Sequence, residues 1–491
     1  SVTVLNTPPQ WTASTTELVE SSATSPTDAG NVVSWVAVGT DSNAERFYLL
    51  ICSNSATPTA NSSAAPACHS SATQWAVSAS TTSGTQALAA TTTLSTWAES
   101  NPWFGWICDG NSGTPRCSTT YTQGSNATNS SPFEVNHRPV FTIFTDDSPR
   151  DPGQIVTFSS TSSDPDTSGT PDLVALFVCS TSGFNTTTNS CTGTQLASST
   201  VFVPANASST YTIVIPTQDT NYGAFGYVID HHGFEASGGS QDTDSTLAVN
   251  NVAPAVSSST ISINGGSDVI LTVESGQTTG YTLGFAISDN NSCDAIGGGL
   301  NDEITDFELS FYRSGIGSTT CSVAAGSYNA NNCYPSGVPT TTWNLSCTAS
   351  TTACTGNTDL DTAFSCTFPL WYIADPTDGT ATSTEYPTQN WRAQVQGVDD
   401  DAAIGNLSEG SIGVEVVSFL AFALNTLAIP YGSLEPGAQT PFLIATTTVA
   451  ATGNVGLDKD VTGESMCTSY TGSTLCPNSA TSTIPENQQV V

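Results

Sequence analysis

Positive charge is what this chain has least of. Its 491 residues include 7 Lys and Arg against 42 Asp and Glu, and Lys459 is the only lysine. A formal charge of −35 repels phosphate backbones and anionic headgroups, so neither nucleic acid nor a membrane surface is an expected partner. The same field attracts divalent cations, and the scarcity of lysine leaves trypsin-like proteases few sites. Long apolar runs are also missing. The longest, from Val416 to Gly432, is broken by Ser418, Asn425, Thr426 and Pro430. It reads as one or two strands rather than a membrane span, and no membrane insertion is expected in this segment. No HExxH, GxSxG, P-loop or CxxC…CxxC pattern occurs, which removes the commonest signatures of hydrolases, nucleotide enzymes and zinc modules. No signal peptide is visible at Ser1, so the expectation is a processed chain or a fragment of a longer one.

What is present suits a folded secreted protein. Hydrophobic residues make up 37% of the chain, with 9 Trp, 13 Tyr and 19 Phe, enough to build cores for three to five domains of about 100–150 residues each. The 14 cysteines fall mostly in close pairs and point to an oxidising compartment. Asn61, Asn126, Asn129, Asn185, Asn206, Asn290, Asn344 and Asn406 head N-x-S/T sequons, most of which arise by chance in a chain this rich in Ser and Thr.

A repeat of about 115–130 residues, the size of one sandwich domain, sets the organisation. Each unit opens with a strand ending in Asn-x-x-Pro: VTVLNTPP (Val2–Pro9), FEVNHRP (Phe133–Pro139) and LAVNNVAP (Leu247–Pro254). Proline removes an amide donor and extends the residue before it, which marks a hinge between two sheets. A strand, an acidic turn and an apolar strand follow, in Val32 to Cys52, Ile155 to Cys179 and Tyr281 to Arg313. Their period-2 alternation of Val, Phe, Leu and Tyr predicts half-buried strands. Each apolar strand runs into a cysteine-bounded loop, Cys52–Cys68, Cys179–Cys191 or Cys321–Cys333, a local staple of about 3 kcal/mol. Near each unit's end an aromatic strand closes on Asp: WFGWICD (Trp103–Asp109), YGAFGYVID (Tyr222–Asp230) and WRAQVQGVDDD (Trp391–Asp401). Cys108–Cys117 is expected to close the first hairpin. The third unit adds Cys293, Cys347, Cys354 and Cys366, where proximity favours Cys347–Cys354 and leaves Cys293 with Cys366. The last segment carries Cys467 and Cys476.

These residues carry a resemblance. SDPD…LVALFVC…C followed by GYVIDHHG (Gly226–Gly233) resembles PKD- and cadherin-like Ig domains. YRSGIGSTTC…NANNCYPSG (Tyr312–Gly337) with CTFPLWYIADPTDG (Cys366–Gly379) resembles multi-Ig-like surface proteins of candidate-phyla (Patescibacteria-type) bacteria, and GNVGLDKDVTG is similar to their terminal module. The resemblance covers most of the chain and implies cell-surface display and attachment to other cells.

The expected fold is therefore all-β: tandem Ig-like β-sandwich domains in series, stapled by disulfides. The expected boundaries are an orphan closing strand at 1–5, then 6–135, 136–250, an enlarged third domain at 251–418, and a terminal module at 419–491. Four kinds of site are weighed. Acidic turns recur with the closing Asp, as Asp41 with Asp109, Asp164 and Asp166 with Asp230, and Asp289 with Asp399, with Asp302, Glu303 and Asp306 able to contribute. In a sandwich these turns lie at one end, and converging carboxylates would suit calcium, which takes about six to eight oxygens. The plainer reading is that Asp favours turns. Catalysis would have to use His69, His137, His231 or His232; for His231-His232 a metal or acid–base role is weighed against a solvated turn, and the turn is favoured. Trp97, Trp103 and Trp106, and the pair Trp371-Tyr372, suit either a glycan platform or core packing, and core is favoured. Lastly, Val2, Val4 and Leu5 match the closing strand of a preceding unit. Either the chain is a window on a longer repeat protein, or this strand is donated to the next copy, making a head-to-tail homopolymer. The function expected is a subunit of an extracellular, cell-surface filament or layer with an adhesive role. The rival is a monomeric adhesin or carbohydrate-binding stalk that meets host cells or glycans. An enzyme is not expected.

Overall fold

In the computed structural model, residues 5–426 are described except 63, 125–128, 168–170, 273–280, 294–302, 327, 338–344, 351–353, 355, 357 and 380–384; beyond them, 447–460, 462, 466–467 and 483–484 are described. Among the described residues regular structure is β apart from two single 3₁₀ turns, Ser258–Thr260 and Asn264–Gly266.

The first sandwich follows directly from its alternation. Along Val32–Thr40 the side chains of Val33, Trp35 and Ala37 turn inward while their neighbours face out, as a period-2 strand requires. That strand lies between Gln10–Glu17 and Gln86–Thr92. The facing sheet has Phe47–Cys52 between Gln74–Val77 and Phe104–Asp109. Trp35, Phe47, Leu49, Trp103 and Ile107 fill the space between them, each worth roughly 1.5–3 kcal/mol on burial. Phe133–Asn136 closes the sandwich, pairing with Ser100–Asn101 and, in parallel, with Thr27–Asp28. Phe133 and Val135 are fully buried there.

The second and third sandwiches repeat this plan. In the second, Val140–Asp146, Ile155–Ser163 and Ser208–Thr212 face a sheet of Gln195–Ser198, Val174–Cys179, Phe225–Asp230 and Thr243–Asp244. Leu247 and Val249 are buried in its core. In the third, the sheet carrying Tyr281–Ser288, Asp361–Phe368 and Ser346–Ala349 packs on Cys333–Pro335, Asp306–Arg313, Trp391–Val398 and Ser408–Glu409. After it, Phe422–Leu424 pairs with Val449–Ala451, and Met466–Cys467 with Thr483–Ile484.

The chain divides into two compact units: Ser1–Val214 with Asp219–Asn250, and Ile215–Gln218 with Asn251–Val491. The first two sandwiches thus belong to one unit. The Asn136–Pro139 linker is tied down where a free hinge was expected. His137 Nδ1 lies 2.5 Å from Asp166 Oδ1, its backbone N–H donates to Asp166 Oδ2 at 2.6 Å, and its Nε2 lies 3.1 Å from Trp97 O in the preceding sandwich.

Cys52–Cys68, Cys108–Cys117, Cys179–Cys191 and Cys321–Cys333 are bonded as spacing suggested. The other four cysteines pair differently: Cys293 with Cys354, and Cys347 with Cys366. Proximity along the chain misled because strand register decides. Cys347 and Cys366 are direct partners across the Ser346–Ala349 and Asp361–Phe368 ladder, which leaves Cys293 to tie the loop after Tyr281–Ser288 to Cys354. Cys476 lies outside the described residues, and with it any pairing to Cys467.

Candidate metal centre

Strand order places the acidic residues. In the first two sandwiches the closing Asp sits opposite the first residue of the neighbouring apolar strand: Phe47 faces Asp109 and Val174 faces Asp230. The acidic turn leads into that same apolar strand, so turn and closing Asp meet at one end.

Three hydrogen-bonding details recur in all three sandwiches. The first turn Asp accepts, through Oδ1, the N–H two residues on: Asn43 to Asp41 at 2.7 Å, Asp166 to Asp164 at 2.9 Å, and Asn291 to Asp289 at 2.7 Å. The closing Asp accepts backbone amides through its own Oδ1, from Asn111 and Arg116 to Asp109, Phe234 to Asp230, and Ala403 to Asp399. Its Oδ2 accepts the side-chain amide of the Asn in Asn-x-x-Pro: Asn6 to Asp109 at 2.8 Å, Asn136 to Asp230 at 2.9 Å, and Asn251 to Asp399 at 3.0 Å.

Each Asn amide donates, which fixes its carbonyl oxygen, and that oxygen is left buried without a hydrogen-bond partner in Asn6, Asn136 and Asn251. Asp41 Oδ2, Asp164 Oδ2 and Glu45 Oε2 are in the same condition. Asp41 and Asp164 are each 7% exposed and Asn136 is 1% exposed. Burying an acceptor unpaired costs about 1–3 kcal/mol, more when it is charged. Oxygen ligands of Asp41, Glu45 and Asp109 lie within 4.8 Å of one another, as do those of Asp164, Asp166 and Asp172. An ion bonded at about 2.3–2.6 Å spans that spacing. The arginine–carboxylate ion pairs among the described residues, Arg150–Asp147, Arg313–Asp375 and Arg392–Glu409, all lie elsewhere. Burial and the neighbouring carboxylates of Asp166, Asp230 and Asp172 push Asp164 up to about 7, against the bond from the Asp166 amide. Burial also raises Asp230 and Asp172.

The second cluster is joined to the first sandwich. Asn136 donates to Asp28 Oδ1 at 3.0 Å as well as to Asp230, so one carboxamide touches both sandwiches. In the third sandwich Asp289 and Asp399 are each 1% exposed, but Asp302 lies outside the described residues, and Asp306 is exposed at the head of its strand. The residues that sequence reasoning missed are the three Asn side chains, treated there as part of a hinge. Their recurrence three places before Pro was the available signal. His231 and His232, for which a solvated turn was expected, approach Asp172, a residue the sequence reading did not single out. Trp103 is fully buried and Trp106 nearly so, while Trp97 packs on Trp75 and Phe133 and Trp371 packs against the third core, so none of these rings forms an open platform. Leu5 is 75% exposed and outside any strand; Val2 and Val4 lie outside the described residues.

No protein-family model matches this chain, and no curated protein does. Among solved structures it is similar to a marsupial T cell receptor at 9% identity, covering 78% of this chain and 96% of that one with a TM-score of 0.25. A Salmonella alpha-2-macroglobulin mutant is matched at 9% identity over 86% of this chain and 24% of that one, with a TM-score of 0.17. At these scores the matches carry no argument, and the sandwich assignment rests on the sheets described above.

Proposed function

We propose that this chain is a structural, adhesive element of an extracellular surface, built of disulfide-stapled sandwiches and stiffened by calcium at the end of each. The recurrent orphaned oxygens carry the reading. In each of the three sandwiches the Asn amide is spent on the closing Asp and its carbonyl oxygen is left buried without a partner, and in the first two, carboxylates gather within reach of one ion. A hard divalent cation satisfies both, and oxygen-only ligands select calcium over imidazole- or thiolate-seeking ions. The six disulfides among the described residues fit an oxidising, extracellular setting.

Such a chain acts by holding its shape and meeting neighbours rather than by turnover. Head-to-tail assembly through Ser1–Leu5 is the form we favour, supported by the repeat register and by the exposure of Leu5. Electron microscopy of the purified chain with calcium, beside a variant lacking Ser1–Leu5, tests it. Filaments that vanish in the variant support strand donation. Short separate rods in both samples overturn assembly and leave a monomeric stalk.

A further inference from the structure

Next to the oxygen cluster of the second sandwich lies a site of different chemistry. Asp172 comes from the loop before Val174–Cys179, and His231 and His232 form the turn after Phe225–Asp230. Because Val174 pairs with Asp230, the two segments meet. Asp172 Oδ1 lies 3.7 Å from His231 Nδ1 and 3.7 Å from His232 Nε2, and the three ligand atoms all lie within 4.8 Å of one another.

These distances are too long for hydrogen bonds, which end near about 3.2 Å for nitrogen and oxygen. They are close to the roughly 3.3–3.4 Å that separates neighbouring ligands of a tetrahedral ion with bonds of about 2.0–2.1 Å. Asp172 is 8% exposed, yet among the described residues its carboxylate accepts no hydrogen bond. The two imidazoles approach this carboxylate without donating to it. The two rings stand 3.9 Å apart between centroids. His231 Nδ1 accepts a long 3.3 Å bond from the Leu173 N–H, which marks that nitrogen as the one with the free lone pair; a metal would replace this weak donor. The surroundings favour a cation: Asp164 and Asp166 group with Asp172, and Asp230 adjoins the histidines in sequence. Of the nearby basic side chains, Arg138 is occupied with Glu235 O and the Phe234 ring, and His137 with Asp166 and Trp97.

We infer that Asp172, His231 and His232 bind one divalent transition-metal ion, zinc being the best fit. The two imidazoles are borderline ligands that calcium disfavours, and zinc accepts a carboxylate beside them. The ion would staple the Asp172 loop to the His231-His232 turn, doing with a metal what cysteine pairs do elsewhere in this chain. Asp172 also belongs to the oxygen cluster of the second sandwich, so zinc and calcium would compete for its carboxylate; the zinc inference does not need calcium to bind.

The test is calorimetric titration of zinc chloride into the whole chain, stripped with a chelator and kept free of calcium. One saturable zinc site is expected. Asp172→Asn and His232→Ala should each weaken it by at least the about 10–100-fold that disturbing a ligand's supporting shell costs, while His69→Ala, an exposed histidine, leaves it unchanged. Circular dichroism establishes that each variant is folded, and cobalt(II) in the unmodified chain should give the visible bands of a tetrahedral site, a readout that needs no variant. Zinc binding unchanged in both variants, or no zinc uptake and no cobalt bands in the metal-free chain, overturns the inference. Zinc uptake that is sensitive to the variants in a chain that shows no calcium response upholds it and sinks the calcium reading alone.

Discussion

The clusters of the first and second sandwiches share a frame and differ in what surrounds it. Both have a turn Asp bonded to the amide two residues on, a closing Asp, and an Asn whose amide holds that Asp. In the first, Asn6 is partly exposed, its second bond goes to Thr114 O, and Glu45 supplies the third carboxylate. In the second, Asn136 is buried and reaches Asp28 of the preceding sandwich, and His137 binds Asp166. The frame is therefore a property of each sandwich, while the linker turns one copy of it into a junction. The same few residues serve ligand placement in one setting and domain coupling in the other.

The largest expected effect separates these two roles. Asn136→Ala removes two charge-assisted bonds, one from Asp28 Oδ1 and one from Asp230 Oδ2, which should cost about 3 kcal/mol at roughly 1.5 kcal/mol or more per bond. Urea unfolding of the variant measures this, and a loss under about 1 kcal/mol would refute the coupling. Next, calcium at 100 times its dissociation constant should stabilise each occupied sandwich by about 2.7 kcal/mol. Thermal melts with and without a chelator should show this, and Asp164→Asn should abolish the response of the second sandwich but not the first. An equal response in the variant would break the assignment.

A pH difference sharpens the comparison further. The first sandwich buries Glu17, whose Oε1 accepts the Trp103 indole N–H at 2.7 Å and whose Oε2 accepts the Ser21 amide at 3.1 Å. Burial outweighs those bonds and raises it from 4.5 to about 8. A raised folded value means the folded state holds the proton more tightly. Its stabilising contribution is full below 4.5 and is lost as pH rises through about 8. Glu17→Gln should flatten that slope and gain about 2 kcal/mol at pH 8.5, judged against the about 1.4 kcal/mol that a tenfold change in proton affinity represents. Unfolding at pH 5, 7 and 8.5 checks it. The smallest effect is expected from Asn6→Ala, about 1 kcal/mol, because Asn6 is partly open to water. A cost equal to that of Asn136→Ala would show that the linker adds nothing.

Much of this architecture was legible in the chain. The alternation through Val32–Thr40 and Ile155–Ser163 has one hydrophobic solution, a strand with one buried face, and short cysteine spacings closed as expected because loops of 9 to 16 residues leave few other partners. In the first sandwich the convergence of Asp41 with Asp109 was also readable, since both lie at the same end of paired strands. The Asn oxygens were not. Whether a carboxamide presents its oxygen or its nitrogen depends on the groups it meets, and those are 94 to 148 residues away in sequence.

By itself the sequence determined the strand periods, the sandwich class, the local staples and the excess of negative charge, because each of these follows from neighbours within a few residues or from composition. The tertiary structure decided the rest. Register across the Ser346–Ala349 and Asp361–Phe368 ladder paired Cys347 with Cys366. Pairing of Val174 with Asp230 brought Asp172 to His231 and His232. Closure of the first sandwich set Asn136 between Asp28 and Asp230. All three are long-range contacts fixed by ladder hydrogen bonds and core packing, and a slip of one residue in register would turn these side chains to the opposite face.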